Sequence, residues 1–321
     1  MQFTRTPRQF APLGGELRYA VGHEVPTTIT IRIADAADGT LLGARRFVAV
    51  DSAAFDASPC IRPTLRYLPE PGPTGIRTAG DRTATVVVEA FAAGDEEPSA
   101  RSEVRTFLPA AAKVEAPALL TAMPRERLIA AGEADELTLL TAEAQPVTVI
   151  ARCGESTVAQ SFALPGAGLH LFRIDTNDFP EAETIVVDAG ACGTVRYDLA
   201  LRPAGAVRLA WRSRAGSVEH YTFPIEVSAT VEAAKRRAYG PEGHVAIAST
   251  EQRRVLRSAY ERREVLEALA ETISSPEVWL VGEEYEAVDV VSDRTAVHRH
   301  GSLSCLEIEI RPKSKTPQPW N

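Results

Sequence analysis

Leu209-Ala-Trp-Arg-Ser-Arg-Ala-Gly-Ser-Val-Glu-His-Tyr-Thr-Phe223 is the stretch from which the fold is best read. Two alternating runs, Val207/Leu209/Trp211 and Glu219/Tyr221/Phe223, flank Ser213-Arg214-Ala215-Gly216. That is the pattern of a β-hairpin with large aromatics on its arms. Trp211, Tyr221 and Phe223 either fill a core or form an exposed platform for a sugar or a partner subunit. Core is the commoner fate of aromatics at this spacing. It would leave Arg214 and Glu219, beside the turn, as outward residues.

Strand signals continue on both sides of this hairpin. The chain has 321 residues, enough for two or three domains with separate cores. Its 45% hydrophobic and 24% charged residues are those of a globular protein. Residues 1–112 form a first module. Ile29, Ile31 and Ile33 alternate with polar neighbours, Asp38-Gly39 supplies a turn, and Leu41 to Val50 returns. The prolines and glycines of 59–80 remove ladder donors and predict a long surface loop. Thr83 to Phe91 and Glu103 to Leu108 complete an antiparallel β-sandwich without helices, and 110–117 is a linker.

Six short strands between Leu137 and Leu201 predict a second antiparallel β-sandwich over 118–204, with Val195, Tyr197, Leu199 and Leu201 on one face. Residues 205–321 then form an α+β module with one principal helix. Leu266, Leu269, Ala270 and Ile273 recur at helical spacing, and Ser274-Ser275-Pro276 stops the helix, which is placed at 261–273. Residues 250–260 fit a strand or an extension of that helix, and the strand is preferred. Leu306, Ile308 and Ile310 face inward from a last strand, and 312–321 forms a tail. The expected fold is therefore mainly β, with two sandwiches followed by the α+β module.

Charge and motifs exclude more than they assign. A net charge of -8 gives no global field for a polyanion. The densest basic region, Lys235-Arg236-Arg237 with Arg253, Arg254, Arg257, Arg262 and Arg263, is interleaved with Glu232, Glu242, Glu251, Glu261 and Glu264, so nucleic-acid binding is not expected. No stretch reaches the roughly 20 apolar residues of a membrane span. The N-terminus lacks the apolar core of a signal peptide, so cytoplasmic synthesis is expected.

Cys60, Cys153, Cys192 and Cys305 show no Cys-x-x-Cys spacing. Cys153 and Cys192 share a module, but two core thiols are expected there rather than a disulfide. His298 and His300 lie on one strand face without a third ligand nearby. Asp175-Thr176-Asn177-Asp178 lacks the glycine and glutamate of a calcium loop and reads as an Asx turn. Gly166-Ala167-Gly168 precedes a strand and reads as a turn. Neither a nucleophile elbow nor a phosphate loop is present, and Glu283-Glu284 reads as a solvated turn, so neither an enzyme nor a cofactor is expected.

The motif Trp211-x-Ser213-x-x-Gly216-x-x-Glu219-x-Tyr221-x-Phe223, followed by Lys235-Arg236-Arg237, resembles a group of uncharacterised phage and prophage structural proteins. In them such a hairpin precedes a strand, a Leu-rich helix and a Ser-Pro-x-Val segment. Glu264 to Leu269 with Ser275-Pro276-Glu277-Val278 resembles that second half, and Leu119 to Glu136 is a looser match. Ser213 stands where asparagine is commoner in the group. The resemblance implies a virion- or tail-associated component that self-associates or meets other particle proteins, with no catalytic residues. The alternative is a monomeric β-sandwich that binds carbohydrate or peptide on its loops, with the 59–80 segment the first candidate.

Overall fold

The computed structural model describes residues 1–240, 243–295, 297–301 and 303–313; within these, the side chains of 234–240, 244–249, 299 and 300 are not described. The chain is mainly β, with four sheets and two short α-helices among the described residues. Strands dominate because the apolar residues recur at period two. Ile29, Ile31 and Ile33 are all buried in Arg18–Asp35, as are Leu306, Ile308 and Ile310 in Leu303–Pro312. Gly39 adopts the left-handed backbone (φ 75°) that turns Arg18–Asp35 back into Leu41–Asp56.

The first module is one seven-stranded sheet in the order Gln2–Arg5, Arg18–Asp35, Ala84–Phe91, Arg105–Leu108 and Ala11–Pro12, with Leu41–Asp56 and Ala100–Arg101 paired to its second and third strands. The middle module holds two sheets. The order of one is Glu126–Ala130, Thr194–Ala200, Thr184–Asp188, Gln145–Cys153 and Ser156–Leu164; that of the other is Gly75–Arg77, Gly168–Asp175, Ala134–Thr141 and Ala118–Leu120. Val149 and Val187 of the first share a core with Leu139 and Phe172 of the second. The last sheet has the order Val218–Phe223, Val207–Arg212, Val278–Val281, Tyr285–Val290, Leu303–Pro312, Gly243–Arg257 and Ile225–Gly240; Val297–His300 also pairs with Leu303–Pro312.

Several expectations need correction. Two pairings are parallel rather than antiparallel, Ala11–Pro12 with Arg105–Leu108 and Glu126–Ala130 with Thr194–Ala200. The first module is not free of helix, since Pro59 sits in the first turn of Ser58–Ile61, where a missing N–H costs nothing. The 59–80 segment is not a free surface loop. Leu65 and Tyr67 are buried in the first core, and Gly75–Arg77 adds to the edge of the middle module's smaller sheet. Arg173 Nε donates to Gly72 O (2.6 Å) and the Thr74 N–H donates to Asp178 (2.7 Å), so two modules hold the segment from both sides.

Leu201 lies past the end of Thr194–Ala200 and is exposed. The helix runs Arg263–Ser274, and Ala268 and Thr272 are buried on its inner face while Ala270 is exposed. Residues up to Arg257 are strand, as preferred. Asp175 accepts the Asn177 N–H (3.0 Å), which is the Asx turn, and all four cysteines are free thiols.

Candidate functional site

The Trp211 hairpin is Val207–Arg212 against Val218–Phe223, in the register Val207↔Phe223, Leu209↔Tyr221, Trp211↔Glu219. Both of its faces are covered. Leu209, Trp211 and Phe223 enter the C-terminal core beside Leu256, Leu269 and Ile308. Ala210 and Val218, on the other face, complete the core of the first module. Tyr221 stacks edge-on to Phe223 (5.0 Å), and its hydroxyl donates to Glu261 Oε1 (2.9 Å) and accepts the Ala259 N–H (3.1 Å). The aromatics therefore fill a core, and no exposed platform exists at Trp211 or Phe223, each of which has no exposed surface.

Arg214 is exposed at the turn, as expected, and its N–H donates to Glu271 Oε2 (3.1 Å). The linker docks here through Ala111 N–H to Arg214 O (2.8 Å). Gly216 has φ 91°, and a Cβ on it would lie 2.8 Å from the Ala110 nitrogen. Gly216→Ala is therefore expected to destabilise the chain by about 2–4 kcal/mol in urea unfolding, since backbone strain and a backbone clash combine.

Glu219 is not outward. It is 1% exposed, and its carboxylate accepts from Thr121 Oγ1 (2.8 Å), the Ala122 N–H (2.8 Å) and Ser217 Oγ (2.6 Å). The outward expectation fails because 121–127 of the middle module lies against that part of the hairpin.

Glu219 belongs to a buried ionic network that sequence reasoning missed. Arg127 Nη1 lies 2.7 Å from Asp135 Oδ2 and 3.7 Å from Glu219 Oε2. Asp135 also accepts the Tyr197 hydroxyl (2.9 Å), and its Oδ1 lies 3.1 Å from His220 Nδ1. Alongside, Arg208 Nη1 donates to Glu133 Oε2 (2.9 Å) and Nη2 to Ala134 O (2.6 Å), and Thr222 Oγ1 donates to the same Glu133 oxygen (2.6 Å). Arg82 of the first module pairs with Glu136 at 2.9 Å. These charges fasten the hairpin and the first module to Ala134–Thr141, a strand buried almost throughout.

Burial alone would raise the Asp135 pKa, but the Arg127 guanidinium and the His220 contact outweigh it and hold the carboxyl far below the usual range. Burial pushes the Glu219 and Glu136 carboxyls up, against the pull of Arg127 and Arg82 respectively. Burial lowers His220 to about 4, with Asp135 opposing. The ring is thus neutral at pH 7. A carboxylate only accepts, so the proton sits on Nδ1, and Nε2 (3.1 Å from Tyr285 Oη) accepts that hydroxyl.

The depressed histidine sets a pH window. Its folded pKa lies below the unfolded value of about 6.5, so its contribution is complete above about pH 6.5. As pH falls to 4 the unfolded imidazole takes a proton that the folded one refuses, and up to about 3 kcal/mol is lost. Glu219 and Glu136, with raised pKa values, act in the opposite sense. The stability difference between parent and His220→Asn isolates the histidine, and it is expected to shrink as pH falls from 6.5 to 4 in denaturant titrations.

An Asp-His pair beside a tyrosine has the elements of a proton relay, but Asp135 is 2% and His220 4% exposed, out of reach of a substrate in solution. No family model matches the chain, and no curated protein matches it. A cleft of about 290 Å³ does open between the first module and the hairpin turn, lined by Arg62, Arg212, Arg214 and Glu271. Two of its arginines are engaged, Arg62 by Leu13 O (2.6 Å) and Arg212 by the Tyr67 ring (3.7 Å).

Among the described residues no group of three or more His, Cys, Asp or Glu is placed to hold a metal, and no helix is long and apolar enough to cross a membrane. His298 is exposed; the side chain of His300 and the 314–321 tail lie outside the described residues. So do the side chains of Lys235, Arg236 and Arg237. Arg253 and Arg254 pair with Glu251 (3.0 Å) and Glu226 (2.7 Å), and Arg263 with Glu267 (2.6 Å).

Proposed function

We propose that the chain is a non-enzymatic structural or assembly protein of a phage or phage-derived particle, acting through subunit contacts, with its middle pair of sheets as a sandwich. The observation that carries this reading is the arm built from Ile225–Gly240 and Gly243–Arg257. These strands pair with each other along almost their whole length, whereas the rest of the sheet meets only Arg254 to Arg257. From Val227 to Ala233 every residue of the outer strand is exposed, Val231 to 67%.

A two-stranded ribbon in water is marginal by itself. Ion pairs such as Arg254–Glu226 stiffen it, but each contributes little when partly exposed. Leu256 anchors the base of the arm in the core, and an outer strand that from Val227 to Ala233 adds nothing to that core is explained by a partner that covers it. The locked junction supports the same reading, because buried charge fixes how three β units sit on one another.

The carbohydrate- or peptide-binding reading has less support. Its aromatics are buried and its candidate loop is held between two modules. The deciding experiment is to induce the source culture, sediment particles and quantify this chain by mass spectrometry. Stoichiometric co-sedimentation is expected. A chain that stays wholly soluble while particles are abundant overturns the reading.

A further inference from the structure

The five-stranded sheet of the middle module ends on Ser156–Leu164, which pairs with Gln145–Cys153 on one side only. An open strand edge invites another strand, and natural edges are guarded by charge, proline, bulges or a covering element. Ser-Thr-Val-Ala-Gln-Ser-Phe-Ala-Leu carries no charge and no proline over nine residues, and its ladder with Gln145–Cys153 runs without a register shift. Seven of the nine residues are exposed, with Phe162 half-buried and Leu164 buried.

Other long edges of the molecule are guarded. Leu41–Asp56 carries Arg45, Arg46 and Asp51, and its pairing shifts register three times. Ile225–Gly240 carries Glu226 and Glu232 and a bulge between Glu226 and Ser228.

We propose that Ser156–Leu164 is a self-pairing edge: a second copy of this chain adds the same strand antiparallel about a two-fold axis at Gln160, making one ten-stranded sheet from two five-stranded ones. As the contact of an assembly protein it rests on the function proposed above. The occupant follows from self-complementarity. A strand without charge meets its own copy without like-charge repulsion, which a charged edge cannot do.

An axis at Gln160 and normal to the sheet keeps the two core faces continuous and sets Val158 opposite Phe162 and Thr157 opposite Ala163. Of the registers with such an axis, it alone pairs all nine residues, and it ends the ladder where Glu155 meets Pro165, which has no N–H to give. Val158, Gln160 and Phe162 pair with Ala151, Val149 and Val147, which are buried, so they lie on the core face. Val158 is nevertheless 47% exposed there, and the copy's Phe162 would cover it. Nine residues give an edge roughly 30 Å long. That is a small interface, so an isolated dimer of micromolar or weaker affinity is expected, reinforced wherever a particle presents many copies.

The test uses the full chain in sedimentation velocity across a concentration series, with Gln160→Lys and Gln160→Glu. Gln160 is exposed, so neither variant threatens the fold. Each alone places like charges on the axis and is expected to weaken the dimer about a hundredfold; mixing the two is expected to restore it. Variants that associate like the parent overturn this edge as the contact while leaving an assembly role through other surfaces standing. A parent that stays monomeric at every concentration also overturns it, and co-sedimentation with particles then decides the assembly role separately.

Discussion

Arg127→Met is expected to lower the unfolding free energy by about 3–5 kcal/mol, read by urea denaturation followed with tryptophan fluorescence. The guanidinium is the cation that Asp135 and Glu219 share, at 2.7 and 3.7 Å, and it also donates to Thr121 Oγ1 (2.6 Å) and Pro124 O (2.8 Å). Methionine keeps most of the volume and removes the charge, so two carboxylates are left in a low-dielectric site without their nearest counter-ion. Glu219, already pushed toward protonation by burial, takes up a proton first. Arg127→Met combined with Asp135→Asn is expected to recover part of the loss, because the stranded charge goes with its partner.

Trp211→Ala carries the second large effect, also about 3–5 kcal/mol. The ring is fully buried among Leu209, Leu256 and Leu266, and its removal opens a cavity that neighbouring strands in a hydrogen-bonded sheet cannot collapse to fill. Thermal unfolding of the full chain checks it. Unchanged melting would mean that the indole is not in that core, and the hairpin would lose its role as the junction of the molecule.

What the sequence disclosed about the hairpin and what it hid have the same physical origin. Alternation at period two reveals that a strand has two unlike faces, and it found the hairpin, its turn at Ser213 to Gly216 and the burial of Trp211 and Phe223. It does not reveal which polar residues a neighbouring unit covers. Glu219, opposite Trp211 beside the turn, reads as outward for that reason, and nothing local marks Arg208 and His220 as buried, although all three are. One signal was available. Glu133-Ala-Asp-Glu136 runs directly into Leu-Thr-Leu-Leu140 without alternation, the pattern of a strand covered on both sides, and acids entering such a strand need buried cations.

The helix at Arg263–Ser274 was legible because its stripe, its first-turn acid Glu264 and its Ser-Pro stop are all local. Gly75–Arg77 was not, because its partner strand lies about a hundred residues away and the Pro69, Pro71 and Pro73 run just before it argues against any strand. The arm escaped notice for a different reason. Ile225, Val227, Ala229, Val231 and Ala233 alternate with polar residues as in a half-buried strand, yet from Val227 to Ala233 both faces are exposed, so period two discloses the strand but not that it leaves the core.

Hydrogen exchange of the arm tests most directly whether this chain works through subunit contacts. Amides of Val227 to Ala233 would be followed in the free chain and in chain recovered with sedimented particles. Exchange at least about tenfold slower in the particle is expected, because a partner covers the ribbon. Equal rates in both states, with the chain present in the particle fraction, would contradict an arm that exists to be covered.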